Sequence, residues 1–232
     1  MDISTATALV TGANRGLGRR IAQELAARGA TVYAAARRPE TVDLPGVKAI
    51  RLDITDPDSV AAAAQEAGDV NVLVNNAGTS TGSDLLTGNW DDIRLEVETH
   101  YLGTLRMIRE FAPVIEARGG GSILNILSVL SWISYPTVGP YAAAKSAEWS
   151  MTNALRQDLA PKGIRVAGLH VGYMDTDMAA HVTTPKSDPA DVARVAVDGI
   201  AADAYEIVVD EVSHKVQAGF PGGVAALYPQ LG

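Results

Sequence analysis

Short apolar runs alternate with longer stretches of helical periodicity from one end of this chain to the other, and few folds accommodate that order. The runs at 6–11, 30–36, 47–52, 70–75, 122–127, 165–171 and 206–209 are rich in Val, Ile, Leu and Ala. Near-continuous apolar character marks strands covered on both faces. Between them, residues 16–28, 56–66, 90–117, 140–160 and 189–201 carry helical patterns. This alternation, with right-handed crossovers, predicts an α/β fold: a doubly wound parallel sheet of about seven strands with helices on both faces. In the longest helical stretch, Ile93, Val97, Tyr101, Leu105, Ile108 and Phe111 recur at three- and four-residue steps and predict its buried stripe. Pro113 predicts a kink or an early end to that helix.

A length of 232 residues suits a single domain, 1–232, with no repeat or linker. The absence of cysteine excludes a disulfide scaffold and a thiol nucleophile, and it agrees with a cytoplasmic location. With 19 Lys and Arg against 27 Asp and Glu, the formal charge of −8 argues against nucleic acid as a partner. No apolar run reaches the roughly 18 residues that a membrane span needs, and Met1–Thr7 carries no secretory pattern. The apolar tail, 220–232, is expected to pack on its own domain or on another subunit. No His/Asp/Glu grouping has metal-ligand spacing, so no metal is expected.

The first strand runs into Thr11-Gly12-Ala13-Asn14-Arg15-Gly16-Leu17-Gly18, and a helix follows. Glycines let the backbone approach a pyrophosphate, and a helix N-terminus presents unpaired N–H groups and positive dipole to it. Enzymes that prefer NAD often place an acid at the end of the second strand to hold the ribose diol. Here that strand ends in Arg37-Arg38. Guanidinium groups match a 2′-phosphate, and Arg15 adds a further one, which favours NADP(H) as cofactor. One of Arg37 and Arg38 is expected to be an ordinary solvated charge.

At this point the chain resembles the short-chain dehydrogenase/reductase family over nearly its whole length. The loop Thr11–Gly18 is similar to that family's cofactor signature, and Asp53-Ile54 to its adenine-reading pair. Asn75-Asn76-Ala77-Gly78 resembles the tetrapeptide that braces the sheet and lines the cofactor cleft. Ser128, Tyr141 and Lys145 match the catalytic spacing, and Gly172 with Thr176 the segment beside the nicotinamide carboxamide. The resemblance implies a Rossmann-type oxidoreductase, and a homo-oligomer, dimer or tetramer. The Tyr–Lys chemistry also follows from the residues. A spacing of four puts Tyr141 and Lys145 on one helix face. A phenol ordinarily titrates near 10, and the expectation is that the neighbouring ammonium and an oxidised, positively charged nicotinamide both favour phenolate. Ser128, after a strand, is placed to hold a carbonyl oxygen.

Two positions depart from the family pattern. His100 stands where the family carries an Asn that holds a water near the lysine, and it reads equally as a relay residue and as a packing histidine. Val171 replaces the usual Pro before Gly172. The substrate pocket is expected from Val129, Leu130, Trp132, Ile133 and Tyr135 on one side and Tyr173, Met174 and Met178 on the other, walls suited to a hydrophobic ketone or aldehyde. The short 178–188 segment reads as a trimmed lid. His170 reads as a satisfied strand histidine, and His181 and His214 as surface residues.

The sequence thus predicts NADPH-dependent interconversion of a carbonyl and an alcohol. Tyr141 is the acid, Ser128 the hydrogen-bond donor and Lys145 the ribose ligand. Other readings are an imine or 3-oxoacyl-thioester reductase, an inactive NADP-sensing protein, and a structural scaffold.

Overall fold

In a computed structural model describing residues 1–231, the seven apolar runs become the seven strands of one sheet. These are β1 (Thr7–Thr11), β2 (Thr31–Ala36), β3 (Lys48–Arg51), β4 (Val72–Asn75), β5 (Gly121–Ile126), β6 (Ile164–His170) and β7 (Glu206–Val208). All pair in parallel, in the order β3-β2-β1-β4-β5-β6-β7. Strand order therefore reverses between β1 and β4, and a crevice opens at their carboxyl ends, where ligands of such sheets bind. The helices are α1 (Gly16–Ala27), α2 (Pro57–Glu66), α3 (Trp90–Val97), α4 (Thr104–Ala117), α5 (Gly139–Leu159), α6 (Pro189–Ala201), α7 (Glu211–Gly219) and α8 (Gly223–Leu227). Asp56, Asn89, Asp188 and Asp210 each accept a first-turn N–H and so start α2, α3, α6 and α7.

Alternate residues of β1 explain its unbroken apolar run. Ala8 and Val10 enter a core with Ile21 and Leu25 of α1 and Val192, Val197 and Ile200 of α6. Leu9 enters the opposite core with Val60 of α2 and Met107, Phe111 and Ile115 of α4. No helix among the described residues is long and apolar enough to cross a membrane.

The central helix departs from expectation. Residues Glu98–Gly103 form a π-helical turn that joins α3 to α4. The buried positions are Glu96, Thr99, His100, Gly103, Thr104, Met107, Ile108 and Phe111, whereas Val97 is exposed and Ile93, Tyr101 and Leu105 are only partly covered. A wider turn shifts the register, so a stripe counted at 3.6 residues per turn drifts off the buried face. That face is also polar in its first half, which no apolar count detects. Pro113 does not shorten the helix, which continues to Ala117. The carbonyl from which Pro113 withholds an N–H belongs to Arg109, an exposed residue.

Part of the C-terminal tail packs on its own domain, over the segment that follows β5. Leu227 and Tyr228 cover the Val129–Leu130–Ile133 cluster, and the Tyr228 hydroxyl accepts the Ser134 N–H at 2.9 Å. The α7 and α8 helices of this region have no counterpart in the periodicity. At the sheet edge, His170 is fully buried, as expected. It is hydrogen-bonded to Glu206 and to Ser131 Oγ (3.0 Å) and stacked on Trp132 with ring centroids 3.7 Å apart. Glu206 also pairs with Arg156 of α5 at 2.5 Å.

Burial pushes the Glu206 carboxyl up, but the hydrogen bond and charge of His170, with those of Arg156, outweigh it and hold it below the ordinary range. A depressed carboxylate contributes stability above its unfolded pKa and loses it as pH falls through the folded value. Glu206→Gln should therefore lower the urea midpoint near pH 7, with the gap to wild type closing below about pH 4. A gap that stays constant with pH would show that the charge of Glu206 contributes nothing.

Candidate functional site

The glycine loop lies at the crevice between β1 and β4. Gly12 and Gly16 take φ of 64° and 53°, which turns the chain from β1 into α1 with its first N–H groups facing the crevice mouth. A Cβ on Gly18 would meet Asn76 Nδ2 at 2.3 Å, so α1 packs against the β4 end through that glycine. Leu17 contributes its backbone here, because its side chain belongs to the α1 core. Asn14 is half-buried in the turn. Arg15 reaches across the mouth to Asp177 at 3.1 Å. Asn76 Nδ2 donates to Thr11 O at 2.9 Å, and the N–H groups of Asn76 and Ala77 both donate to Thr11 Oγ1 at 2.9 Å. The tetrapeptide therefore braces the sheet.

Arg37 and Arg38 are exposed at the carboxyl end of β2, and neither enters an ion pair among the described residues. Asp53 Oδ1 accepts both the Thr55 N–H (3.0 Å) and its hydroxyl (2.7 Å). Burial raises its carboxyl, but those bonds and the charges of Arg37 and Arg51 bring it below the ordinary value. Ile54 is buried against Gly103 of the central helix. On the far side, the Gly172 N–H donates to Asp210 Oδ2 at 2.7 Å, and Thr176 lies 3.5 Å from where a Cβ of Gly16 would stand. These groups fit an extended dinucleotide: N–H donors for its pyrophosphate, an acid beside its adenine end and free guanidinium groups at the second strand.

Ser128, Tyr141 and Lys145 come together. The Ser128 hydroxyl accepts the Leu130 N–H at 3.1 Å and lies close enough to Tyr141 to favour its ionised form slightly. Lys145 Nζ donates to Ile126 O at 2.7 Å and to Glu148 Oε2 at 2.8 Å, so two of its three N–H groups are engaged. The Lys145 ammonium favours phenolate, as expected, but burial opposes it more strongly. Burial raises Tyr141 most; Lys145 opposes it, Glu148 and Glu96 add to it, and the net direction is up. Lys145 itself is disfavoured as a cation by burial, yet Glu148 and Tyr141 keep it above its ordinary value.

His100 is 2% exposed, edge-on to Tyr141 with ring centroids 5.1 Å apart. Its Nε2 lies 2.7 Å from Thr79 O, which makes that nitrogen the donor, and 3.5 Å from Glu96 Oε2. Its Nδ1 has no partner among the described residues. Glu96 Oε1 accepts the N–H (2.7 Å) and the hydroxyl (2.9 Å) of Thr81.

The expected substrate wall is only partly present. Val129, Leu130 and Ile133 are buried in a small core under α7 and α8, and Trp132 is held in its stack on His170, because the tail covers them. Met174 packs against the α1–α6 core. Tyr135, Tyr173 and Met178 remain about half-exposed, at 49%, 48% and 47%. Residue patterning missed Glu96, Glu148 and Asp210. Glu148 had a signal: with Tyr141 and Lys145 it completes an i, i+4, i+7 face of α5.

The model of the short chain dehydrogenase family matches residues 6–187. The chain belongs to the short-chain dehydrogenase/reductase family. It is 35% identical to gluconate 5-dehydrogenase of Gluconobacter oxydans, with 76% of this chain and 74% of that one covered. It is 34% identical to the 3-oxoacyl-(acyl-carrier-protein) reductase of Escherichia coli, with 77% of each covered. A short chain dehydrogenase from Burkholderia cenocepacia, crystallised in complex with NADP, superimposes with a TM-score of 0.95 at 34% identity, over 100% of this chain and 99% of that one.

In this short-chain dehydrogenase, a Cβ on Gly78 would lie 2.7 Å from His100 Cε1. Gly78→Ala should destabilise by about 1–3 kcal/mol. Adding His100→Asn should recover at least about half of that, since the smaller amide vacates the contact. Denaturant midpoints of the four proteins in this double-mutant cycle test it, and strictly additive losses would refute the contact.

Proposed function

We propose that this protein is an NADP(H)-dependent carbonyl reductase that interconverts a ketone or aldehyde with an alcohol. The observation that carries this is Tyr141 near Ser128 and beside the buried ammonium of Lys145, at the sheet edge where the glycine loop lies. The dinucleotide, when bound, supplies the hydride that adds to the carbonyl carbon. Tyr141 gives its proton to the oxygen as negative charge develops there. Ser128, whose lone pair already receives the Leu130 N–H, donates its hydroxyl to the same oxygen. Lys145 keeps one N–H for the ribose. These donors are in place before charge appears, which is what lowers a barrier. His100, with Nδ1 aimed at no side chain, stands where it can pass a proton toward Lys145 or hold a water for that purpose.

Arg37 and Arg38 support NADP(H), as does the NADP complex of the Burkholderia protein. Half-exposed Tyr135, Tyr173 and Met178 support an apolar substrate. The likeness to a 3-oxoacyl reductase favours a second reading, a thioester substrate. Exposed Leu86, Trp90, Leu95 and Val97 support pairing of subunits through the central helix. A cytoplasmic location and one catalytic domain over 1–232 complete the proposal.

NADPH oxidation with a panel of ketones, aldehydes and 3-oxoacyl thioesters tests the reading. Tyr141→Phe should reduce turnover by roughly 10²–10⁴-fold while NADPH affinity stays near wild type. Retention of about a third of the activity would remove Tyr141 as the acid.

Arg37→Asp should shift preference from NADPH toward NADH by about tenfold or more, because a charge-assisted contact is worth roughly 1.5–3 kcal/mol. A wild type that already uses both cofactors equally would overturn the arginine argument.

A further inference from the structure

The backbone carbonyl of Ser128 is held by a buried polar network that the proposed reaction does not use. It accepts the Ser131 N–H at 2.9 Å and lies 2.5 Å from Ser131 Oγ and 3.3 Å from His170 Nδ1. Nδ1 also lies 3.0 Å from Ser131 Oγ, and Nε2 is hydrogen-bonded to Glu206 Oε1. Ser131 is 3% exposed and His170 0%. An imidazole buried to that degree has to set each ring nitrogen against a matching partner, because a mismatch inside the protein is costly.

We propose that His170 is a positioning residue: carrying a proton on each ring nitrogen, with Glu206 as its counter-ion, it locks the backbone of Ser128 through Ser131 and so sets where the Ser128 hydroxyl meets the substrate oxygen. The inference rests on the carbonyl–alcohol reading above.

Counting protons decides which atoms donate. The Ser131 hydroxyl has one, and a carbonyl oxygen has none. Two oxygens 2.5 Å apart need a hydrogen between them, so the Ser131 proton lies toward Ser128 O. Nδ1 then faces lone pairs at both Ser131 Oγ and Ser128 O, and only an N–H suits that position. Nε2 faces a carboxylate, which also calls for an N–H. A ring that donates at both ends is an imidazolium. The charged groups around it among the described residues are Glu206 from β7 and Arg156 from α5, which shares the same carboxylate through Oε2 at 2.5 Å. Arg156 opposes a second cation there, but it also reaches the surface, with its side chain 16% exposed. Trp132 favours the cation, because its indole lies face to face with the ring at 3.7 Å and offers the negative side of its π-system. Three donors thus converge on Ser128 O: the N–H and hydroxyl of Ser131 and Nδ1 of His170. The backbone of Ser128 cannot tilt without breaking them, and its side chain follows the backbone.

The four histidines make the protonation readable by nuclear magnetic resonance. Protein labelled with nitrogen-15 at histidine is examined at pH 7 without cofactor, and the His170 signals are assigned by their loss in His170→Gln. Both nitrogens should show the shifts of a protonated ring. With the most active ketone or aldehyde of the panel, Ser131→Ala and His170→Gln should each lower kcat by roughly 10–100-fold, the scale of a misplaced catalytic group. KM for NADPH should stay within about twofold, since no cofactor contact is lost. The double variant should be about as slow as the slower single one, because both changes cut the same network. An unprotonated ring nitrogen overturns the proposal. So does a near-wild-type kcat in either folded variant, or losses that simply add. If His170→Gln does not fold, His100, His181 and His214 variants assign the signals by elimination and Ser131→Ala carries the kinetics. Absence of turnover with every carbonyl refutes the functional reading, a failure that the spectrum tells apart from a neutral His170.

Discussion

The crevice exists because strand order reverses between β1 and β4, so the connections leaving these two paired strands part to opposite faces of the sheet, and backbone groups just beyond the ladder need other partners. Thr11 and Asn76 resolve that. One threonine hydroxyl accepts two successive N–H groups from the β4 end, and one asparagine amide returns a hydrogen bond to the Thr11 carbonyl. Buried backbone groups left unpaired here would cost about 1–3 kcal/mol each. The same residues hold Gly12 and Gly18 in contact with the tetrapeptide, so bracing the sheet also sets the shape of the phosphate loop. A single cluster of polar contacts thus closes the fold and opens the cleft.

Around that cleft the protein buries charge, against the usual sorting of residue types. Lys145, Glu148, Glu96 and His100 are each at most 5% exposed. Burial of this kind survives only where partners are fixed, and here they are fixed by elements that meet at the site: the carboxyl end of β5 for Lys145, the loop after β4 for Glu96 and His100, and α5 for Glu148. The π-helical turn at Glu98–Gly103 belongs to the same arrangement. It sits where the central helix must present Glu96, Thr99 and His100 to the site and then Met107, Phe111 and Ile115 to the sheet. A regular helix spaces those two faces differently.

What the sequence makes legible follows from what each feature depends on. The inner strands were readable because both of their faces meet apolar helices, so Val10 and Leu9 carry the same signal although they point opposite ways. The glycine loop was readable because backbone geometry restricts its residues. Ser128, Tyr141 and Lys145 were readable as a set because helix spacing and position after a strand constrain them. The buried stripe of the central helix was misread because Glu96, Thr99 and His100 look like surface residues to any hydrophobic count. Val129, Leu130 and Trp132 were taken for pocket walls because local sequence does not reveal that Leu227 and Tyr228 return from nearly a hundred residues away to cover them. Spacing shows the ammonium four residues from Tyr141 but not the burial that opposes its effect, nor the Glu148 charge on the same helix face.

The edge of the sheet contributes to the site without touching a substrate. Ser128 is the second residue beyond β5, and its carbonyl receives the Ser131 hydroxyl at 2.5 Å and approaches His170 Nδ1 at 3.3 Å. His170 ends β6 and is held by Glu206 at the start of β7, which Arg156 anchors to α5. Asp210, just after β7, takes the Gly172 N–H with one oxygen and caps α7 with the other. The two loops that carry Ser128 and Gly172, after β5 and after β6, are therefore both tied to β7 and the residue just past it. A short edge strand three residues long has little packing of its own. Its value lies in fixing Ser128 and Gly172 relative to each other, and the distance between donor and developing charge is the quantity on which transition-state stabilisation depends.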